Sequence, residues 1–99
     1  MLDSIQITDF QPYLHQTLPI RFRLPDATLQ AELIEVSNLV SYPGSPRSPF
    51  SVIFRTSQQG AYYQQAIYTL VHPEKGELDI FLVPLGADEK GMRYQAVFN

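Results

Sequence analysis

Residues 18–24 read LPIRFRL, and this stretch carries the pattern that decides the fold. Every second residue is apolar, whereas Arg21 and Arg23 occupy intervening positions. Successive side chains of a β-strand point to opposite faces, so one face of this stretch is apolar and the other is charged. The stretch therefore predicts a strand with one face in a core, and it places Phe22 on that face.

The same alternation recurs along the rest of the chain, in TLQAELIEV (28–36), FSVIFR (50–55), YYQQAIYTLV (62–71), ELDIFLV (77–83) and MRYQAVF (92–98). In the second strand the apolar phase slips at Leu33–Ile34, which predicts a β-bulge. The in-phase side chains predicted to lie in the core include Phe22, Phe54, Leu70, Ile80, Leu82 and Phe98.

One helix is expected before the strands, over residues 8–16. Thr8 and Gln11 have the spacing of a capping box, and Pro12 falls in the first turn, where proline is tolerated. Phe10, Tyr13 and Leu14 would share its apolar face. Residues 38–49 contain three prolines and one glycine, which predicts a long surface loop. Shorter connections are expected at 57–60, 72–76 and 85–91.

Six short strands with one helix predict a mainly all-β protein. The length of 99 residues is that of a single domain, 1–99. Strands that do not alternate with helices form an antiparallel sheet. A small barrel or half-open barrel is the favoured architecture, because closure removes exposed edge strands. A two-sheet sandwich is the alternative.

Composition narrows the classes of function. The chain has no cysteine, which fits a reducing compartment and predicts a cytoplasmic location. The net charge is −3, and the seven Lys and Arg residues are scattered, so no nucleic-acid or lipid partner is expected. The N-terminus, MLDSIQITDF, lacks the pattern of a signal peptide. The apolar run from Ile80 to Leu85 is interrupted by Pro84 and is too short to span a membrane.

Signatures of catalysis are absent from the sequence. Neither histidine has further ligands at metal-site spacing: His15 lies near the end of the predicted helix, and His72 precedes a proline in a predicted turn. No G-x-S-x-G nucleophile turn and no glycine-rich phosphate loop occurs. The exposed strand carboxylates, such as Glu77 and Asp79, are interpreted as solvated. We therefore predict that the protein is not an enzyme and that it has no catalytic residues, no bound metal and no cofactor.

Four segments resemble a family of small bacterial domains of unknown function: FSVIFR (50–55), QAIYTLVHP (65–73), GELDIFLVPLG (76–86) and YQAVFN (94–99). That family is characterised by an FLVP-x-G strand and a terminal Y-[EQ]-A-x-F-N strand. The chain departs from it at Glu74–Lys75–Gly76, where the family has a Leu-Gly pair, and at His15–Gln16, where the family has glycine. The resemblance implies genes that sometimes lie beside phage-tail-like fibre genes, and hence an assembly or accessory role.

The stretch DIFLVPLG (79–86) is apolar on both faces. Ile80 and Leu82 belong to the core, so a second cover is required for the residues on the opposite face, which are Phe81, Val83, Ile53, Ile67, Val71 and Val97. The sequence allows two candidates for this cover. One is the N-terminal helix, through Phe10, Tyr13 and Leu14; the other is another chain, either a second copy or a partner protein.

The function expected from these observations is non-enzymatic protein–protein interaction or assembly through that surface. The runner-up is binding of a small ligand or of single-stranded nucleic acid. It is motivated by one outward tyrosine of the Tyr62–Tyr63 pair and by the strand arginines Arg21, Arg23, Arg55 and Arg93.

Overall fold

A computed structural model describes residues 4–40, 43–44 and 48–99. Its six strands are β1 (Thr17–Phe22), β2 (Ala27–Asn38), β3 (Phe50–Thr56), β4 (Ala66–His72), β5 (Gly76–Asp88) and β6 (Gly91–Phe98). All neighbouring pairs are antiparallel, and the strands close into a barrel in the order β1-β2-β3-β6-β5-β4. The predicted mainly-β fold and the barrel are confirmed. Part of the predicted 38–49 loop, at 41–42 and 45–47, lies outside the described residues.

The barrel consists of two three-stranded meanders, β1–β2–β3 and β4–β5–β6. Within each meander the strands are joined in chain order. The seam between β3 and β6 is long, running from Phe50 opposite Phe98 to Thr56 opposite Met92. The second seam is short and pairs Ile20 with Leu70 and Arg21 with Thr69. Barrel closure therefore depends on two contacts between halves that are distant in sequence.

The interior is filled by the in-phase side chains of all six strands. All six residues predicted from the alternation lie in the core: Phe22, Phe54, Leu70, Ile80, Leu82 and Phe98. The register also shifts between Leu33 and Glu35, which confirms the bulge predicted in β2.

The strand β5 is longer than the sequence pattern predicted. Residues 85–91 were expected to form a loop, with Pro84 ending the strand, but β5 continues to Asp88 and pairs Pro84 with Tyr94. A register shift between Pro84 and Gly86 accommodates the proline. Bulges are among the few places where a sheet tolerates proline, so the prediction of a strand end was wrong for a physical reason.

The N-terminal helical segment lies where it was predicted but has a different form. It consists of two 3-10 turns, Ile7–Asp9 and Gln11–Tyr13, rather than a continuous α-helix over 8–16. The capping group is also different, because Asp9 Oδ2 accepts the backbone N–H of Gln6 at 2.8 Å. Pro12 supplies no N–H, which suits a short turn better than a longer hydrogen-bonded helix. Among the described residues, no helix is long and apolar enough to cross a membrane.

This segment closes one end of the barrel. Phe10 is fully buried, and its ring lies 5.5 Å from that of Phe98 and 6.0 Å from that of Phe50. The segment is fixed to β2 at the bulge, where His15 N–H donates to the Leu33 carbonyl and Leu33 N–H donates to the Gln16 carbonyl. The 3-10 turns thus serve as a plug of the barrel interior.

Tyrosines close the opposite end. Tyr63 stacks on Phe22 with ring centroids 4.4 Å apart, and Tyr63 N–H donates to the Tyr94 hydroxyl at 2.9 Å. The Tyr94 hydroxyl donates in turn to Gln58 Oε1 at 2.8 Å. Burial raises the pKa of Tyr94 above its usual value, so its hydroxyl stays protonated and remains a donor.

Gly91 begins β6 where the chain passes close to β3. A Cβ at this position would lie 1.7 Å from the Thr56 carbonyl oxygen, and the φ of Gly91 is +156°. We expect Gly91→Ala to lower the free energy of unfolding by about 1–3 kcal/mol, because the backbone at Gly91 or at Thr56 must move to accommodate the added Cβ. Denaturant unfolding measures the change. Gly60→Ala is the matched control, since its Cβ meets nothing within 4 Å although its φ is also positive. Equal losses in the two variants would attribute the effect to backbone conformation alone.

Candidate functional site

The six residues of the predicted interaction surface all lie on the outer side of the β4–β5–β6 meander or of adjoining β3. Ile67, Phe81 and Val97 are exposed by 53%, 51% and 49%. The side chains of Val83 and Val71 are half-buried, and Ile53 is buried. The surface is therefore uneven: three large apolar side chains face solvent, while the other three are partly or wholly covered.

Strand register brings the exposed members together. Ile67 lies directly opposite Phe81 across β4 and β5. Val83 lies opposite Gln95 across β5 and β6, and Val97 is the second residue after Gln95 on β6, opposite Ser51 of β3. We call Ile67, Phe81 and Val97 the apolar stripe. Ile67 and Phe81 are cross-strand neighbours, and Val97 is exposed on β6, the next strand in the barrel order.

The N-terminal segment does not cover the stripe. Phe10 lies inside the barrel end, and the Tyr13 ring lies against the His72 ring with centroids 5.2 Å apart. Leu14 is exposed. The first of the two covers considered for Phe81 is thereby wrong, because the largest apolar side chain of the segment gains more burial in the barrel interior than on the outer wall.

Charged residues flank the stripe. Asp79, two residues before Phe81 on the same face of β5, accepts the Thr69 hydroxyl at 2.7 Å. Glu77 forms an exposed ion pair of 2.8 Å with Arg21. On the other side, Glu35 lies opposite Ile53 across β2 and β3. The carboxylates of Asp79 and Glu35 have no cationic partner within 4 Å among the described residues. Asp79 gives the Phe81 side of the stripe an acidic border, whereas Glu35 lies further away, on the far side of β3.

Arg55, a candidate for nucleic-acid contact in the sequence, is engaged within the barrel wall. Its guanidinium binds Asp88 Oδ2 at 2.9 Å and Glu32 Oε1 at 3.1 Å. The backbone N–H of Lys90, followed by the Arg55 side chain, lowers the pKa of Asp88. With two carboxylates around it, Arg55 presents no net positive charge to a nucleic acid.

Arg23 occupies a different environment, at the tyrosine end of the barrel. Three hollows of about 440, 380 and 320 Å³ share it as a wall residue. We call these three adjoining hollows together the mouth groove; they are further lined by Leu24, Asp26, Tyr62, Tyr68 and other residues. Of the adjacent tyrosines, Tyr62 is 60% exposed whereas Tyr63 is buried. The groove thus joins one outward aromatic ring to one outward arginine.

His72 was interpreted from the sequence as a turn residue, and the structure corrects this. It ends β4 and is buried. Its Nδ1 accepts the backbone N–H groups of Glu74 and Lys75, each at 3.0 Å, so Nε2 carries the proton and donates to the Asp9 carbonyl at 2.6 Å. The side chain joins the β4–β5 turn to the N-terminal plug. The His-Pro sequence gave no signal for this role, because the partner is 63 residues away.

His15 is exposed, with a φ of +72°. Within the described ranges, no three His, Asp or Glu side chains lie close enough together to hold a metal ion. The apolar stripe and the mouth groove are two chemically distinct surfaces of the described residues. The first offers exposed apolar side chains, and the second offers an arginine beside a tyrosine.

A family model whose description is "Domain of unknown function (DUF6916)" matches residues 5–98. The finding agrees with the resemblance at the level of a small domain of unknown function; the strand motifs and the gene neighbourhood stay predictions. No curated protein matches the chain, and no solved structure matches it.

Proposed function

We propose that this chain, which belongs to the family of the domain of unknown function DUF6916, is a non-enzymatic domain that binds a partner protein through its apolar stripe. The observation that carries the proposal is the half-exposure of Ile67 and Phe81, which lie opposite each other on β4 and β5, together with that of Val97 on neighbouring β6. Apolar side chains that are contiguous on a surface mark interaction sites more often than single ones do.

Electrostatics favours a different protein over a second copy. The chain carries a net charge of −3, and Asp79, two residues from Phe81 on the same face of β5, has no cationic partner among the described residues. Two copies packed face to face would bring their Asp79 carboxylates together, and such juxtaposition opposes association. A partner with apolar side chains flanked by Lys or Arg would match both the stripe and its border.

The cytoplasm is the compartment that we expect for this interaction, because a chain without cysteine fits a reducing environment. The resemblance noted above suggests phage-tail-like fibre proteins encoded nearby as the first partners to test.

Phe81→Asp is expected to leave the domain folded, since the side chain is half exposed, and to abolish partner binding. Circular dichroism reports the fold. Affinity is measured by calorimetry with a purified fibre protein encoded by a neighbouring gene. We expect the affinity to fall at least about tenfold, because the substitution buries a charge at the centre of the interface. Light scattering on the isolated domain separates self-association from binding of a different protein.

The matched control is Val40→Asp, which places the same charge at an exposed apolar residue away from the stripe. It should leave binding unchanged. A folded Phe81→Asp variant that binds as well as the parent chain would contradict the proposal. A mass that halves in light scattering would assign the stripe to a homodimer instead.

A further inference from the structure

We propose that the mouth groove is a ligand site for an oxyanion, a carboxylate or a phosphate monoester, carried next to an apolar or aromatic group. This site is distinct from the apolar stripe but adjoins it at Ile67, whose backbone carbonyl accepts a hydrogen bond from Arg23. The oxyanion would bind the free edge of the Arg23 guanidinium, and the apolar group would pack on the Tyr62 ring.

Arg23 is the cation of the groove without an ion pair. Among the described residues, no carboxylate lies within 4 Å of it, whereas Arg21 is paired with Glu77 and Arg55 with Glu32 and Asp88. Arg93 shares this lack of an ion pair among the described residues but lines none of the three hollows. The charge of Arg23 is therefore available to a ligand.

The guanidinium of Arg23 is also held in place. Its Nη2 donates to the Ile67 carbonyl at 2.6 Å, which fixes the side chain across the β1–β4 seam. That bond uses one of the two Nη2 hydrogens, and one complete edge with two parallel N–H groups remains. Two parallel N–H groups match the two oxygens of a carboxylate or phosphate, which is the geometry that makes arginine selective for oxyanions.

Tyr62 and Arg23 line the same hollow of about 380 Å³. The hollow also contains Leu24, which is 94% exposed and has a φ of +63°, a conformation that is uncommon for leucine. An exposed tyrosine and an exposed leucine beside a held arginine form a site with one charged and one apolar part.

The charge pattern favours a single oxyanion over a polyanion. Asp26 lines two of the three hollows together with Arg23, and the net charge of the chain is −3. A nucleic acid depends on several phosphate contacts with basic residues for its affinity. The groove supplies one unpaired guanidinium, so the backbone of a nucleic acid would be repelled more than it is held.

The test is a titration with small aromatic oxyanions, followed by ¹H–¹⁵N NMR of the whole chain. Phenylacetate probes the carboxylate, phenyl phosphate probes the phosphate monoester, and phenylacetamide is the neutral analogue of the same shape. We expect shifts at the Arg23 Nε–H and at the backbone amides of 62–68, with a Kd on the order of millimolar for the preferred oxyanion. The neutral analogue should bind at least about tenfold more weakly.

Arg23→Gln should weaken the preferred oxyanion at least about tenfold, and Tyr62→Ala should weaken it while leaving the Arg23 geometry intact. Arg93→Gln is the matched control. Arg93 also has no ion pair with any described residue and donates to a backbone carbonyl, that of Gly86, but it lines none of the three hollows. Should Arg23→Gln fail to fold, Arg23→Lys retains the charge without the two-hydrogen edge and should weaken binding as well.

Equal binding of phenylacetamide and phenylacetate would overturn the proposal, and so would full binding by the folded Arg23→Gln or Arg23→Lys variant. Shifts that cluster around Arg93, or no shifts at millimolar concentration, would do the same. The proposal for the apolar stripe is tested separately, because Phe81 lines none of the three hollows.

Discussion

Phe10→Ala is expected to lower the free energy of unfolding by about 3–5 kcal/mol, enough to unfold much of a domain of ordinary stability. Phe10 is fully buried, and its ring contacts the rings of Phe50, Phe54, Phe98 and His72. Alanine would remove these contacts and leave a cavity at the barrel end, and the strands around it cannot collapse inward without breaking their register.

Urea unfolding followed by circular dichroism measures this loss as a lower midpoint with an unchanged slope. Leu14→Ala is the matched control, because Leu14 belongs to the same segment but is exposed; its effect should stay within about 0.5 kcal/mol. A loss below about 1 kcal/mol for Phe10→Ala would mean that the segment does not plug the barrel in solution.

His72→Ala is expected to have the second largest effect, a loss of about 2–4 kcal/mol. The substitution removes the acceptor of two backbone N–H groups in the β4–β5 turn and the donor to the Asp9 carbonyl. It also removes the ring that lies 5.5 Å from Phe10 and 5.2 Å from Tyr13. Because the side chain is buried, water does not readily replace these partners.

Two further variants separate the parts of this effect. His72→Asn retains an acceptor close to the turn but is too short to reach Asp9, whereas His72→Gln retains a donor of the right length but alters the turn. Each should lose less stability than His72→Ala in urea unfolding. His15→Asn is the control at the exposed histidine, where asparagine tolerates the positive φ. A loss for His72→Ala no larger than that of His15→Asn would restore the interpretation of His72 as a solvated turn residue.

The alternation of side chains predicted all six strands and most of their inner faces. Besides the end of β5, two bounds were wrong: β1 ends at Phe22, which leaves Leu24 exposed instead of in the core, and β4 begins at Ala66 rather than at Tyr62. Phe22, Phe54 and Leu70 were assigned to the core from period two alone, and the bulge in β2 was predicted from a slip of the same period. Strand patterns are local, and a buried face leaves a regular trace in the sequence. The composition of the outer face of β4 and β5 likewise pointed to Phe81 and Ile67, which the structure places opposite each other.

What the sequence could not provide depends on contacts between distant segments. Phe10 fits a helical pattern as well as a barrel plug, and only its distance to Phe98 distinguishes the two. His72 depends on the Asp9 carbonyl, which has no signature in the sequence. The sequence indicated two residues of the mouth groove, Arg23 and one tyrosine of the Tyr62–Tyr63 pair. It could not show that Arg55 is paired with two carboxylates whereas Arg23 is not, because that pairing depends on the order of the strands in the barrel.

The division of the barrel into two meanders has a consequence for how the chain folds. Each meander joins strands that follow one another in sequence. Pairing these strands closes only short loops and therefore costs little conformational entropy. The two seams, β3–β6 and β1–β4, connect residues that are tens of positions apart, such as Ile20 and Leu70. Contacts of such high contact order slow folding. We therefore expect the rate-limiting step to be the docking of two partly formed sheets along β3 and β6, with the short β1–β4 seam closing last.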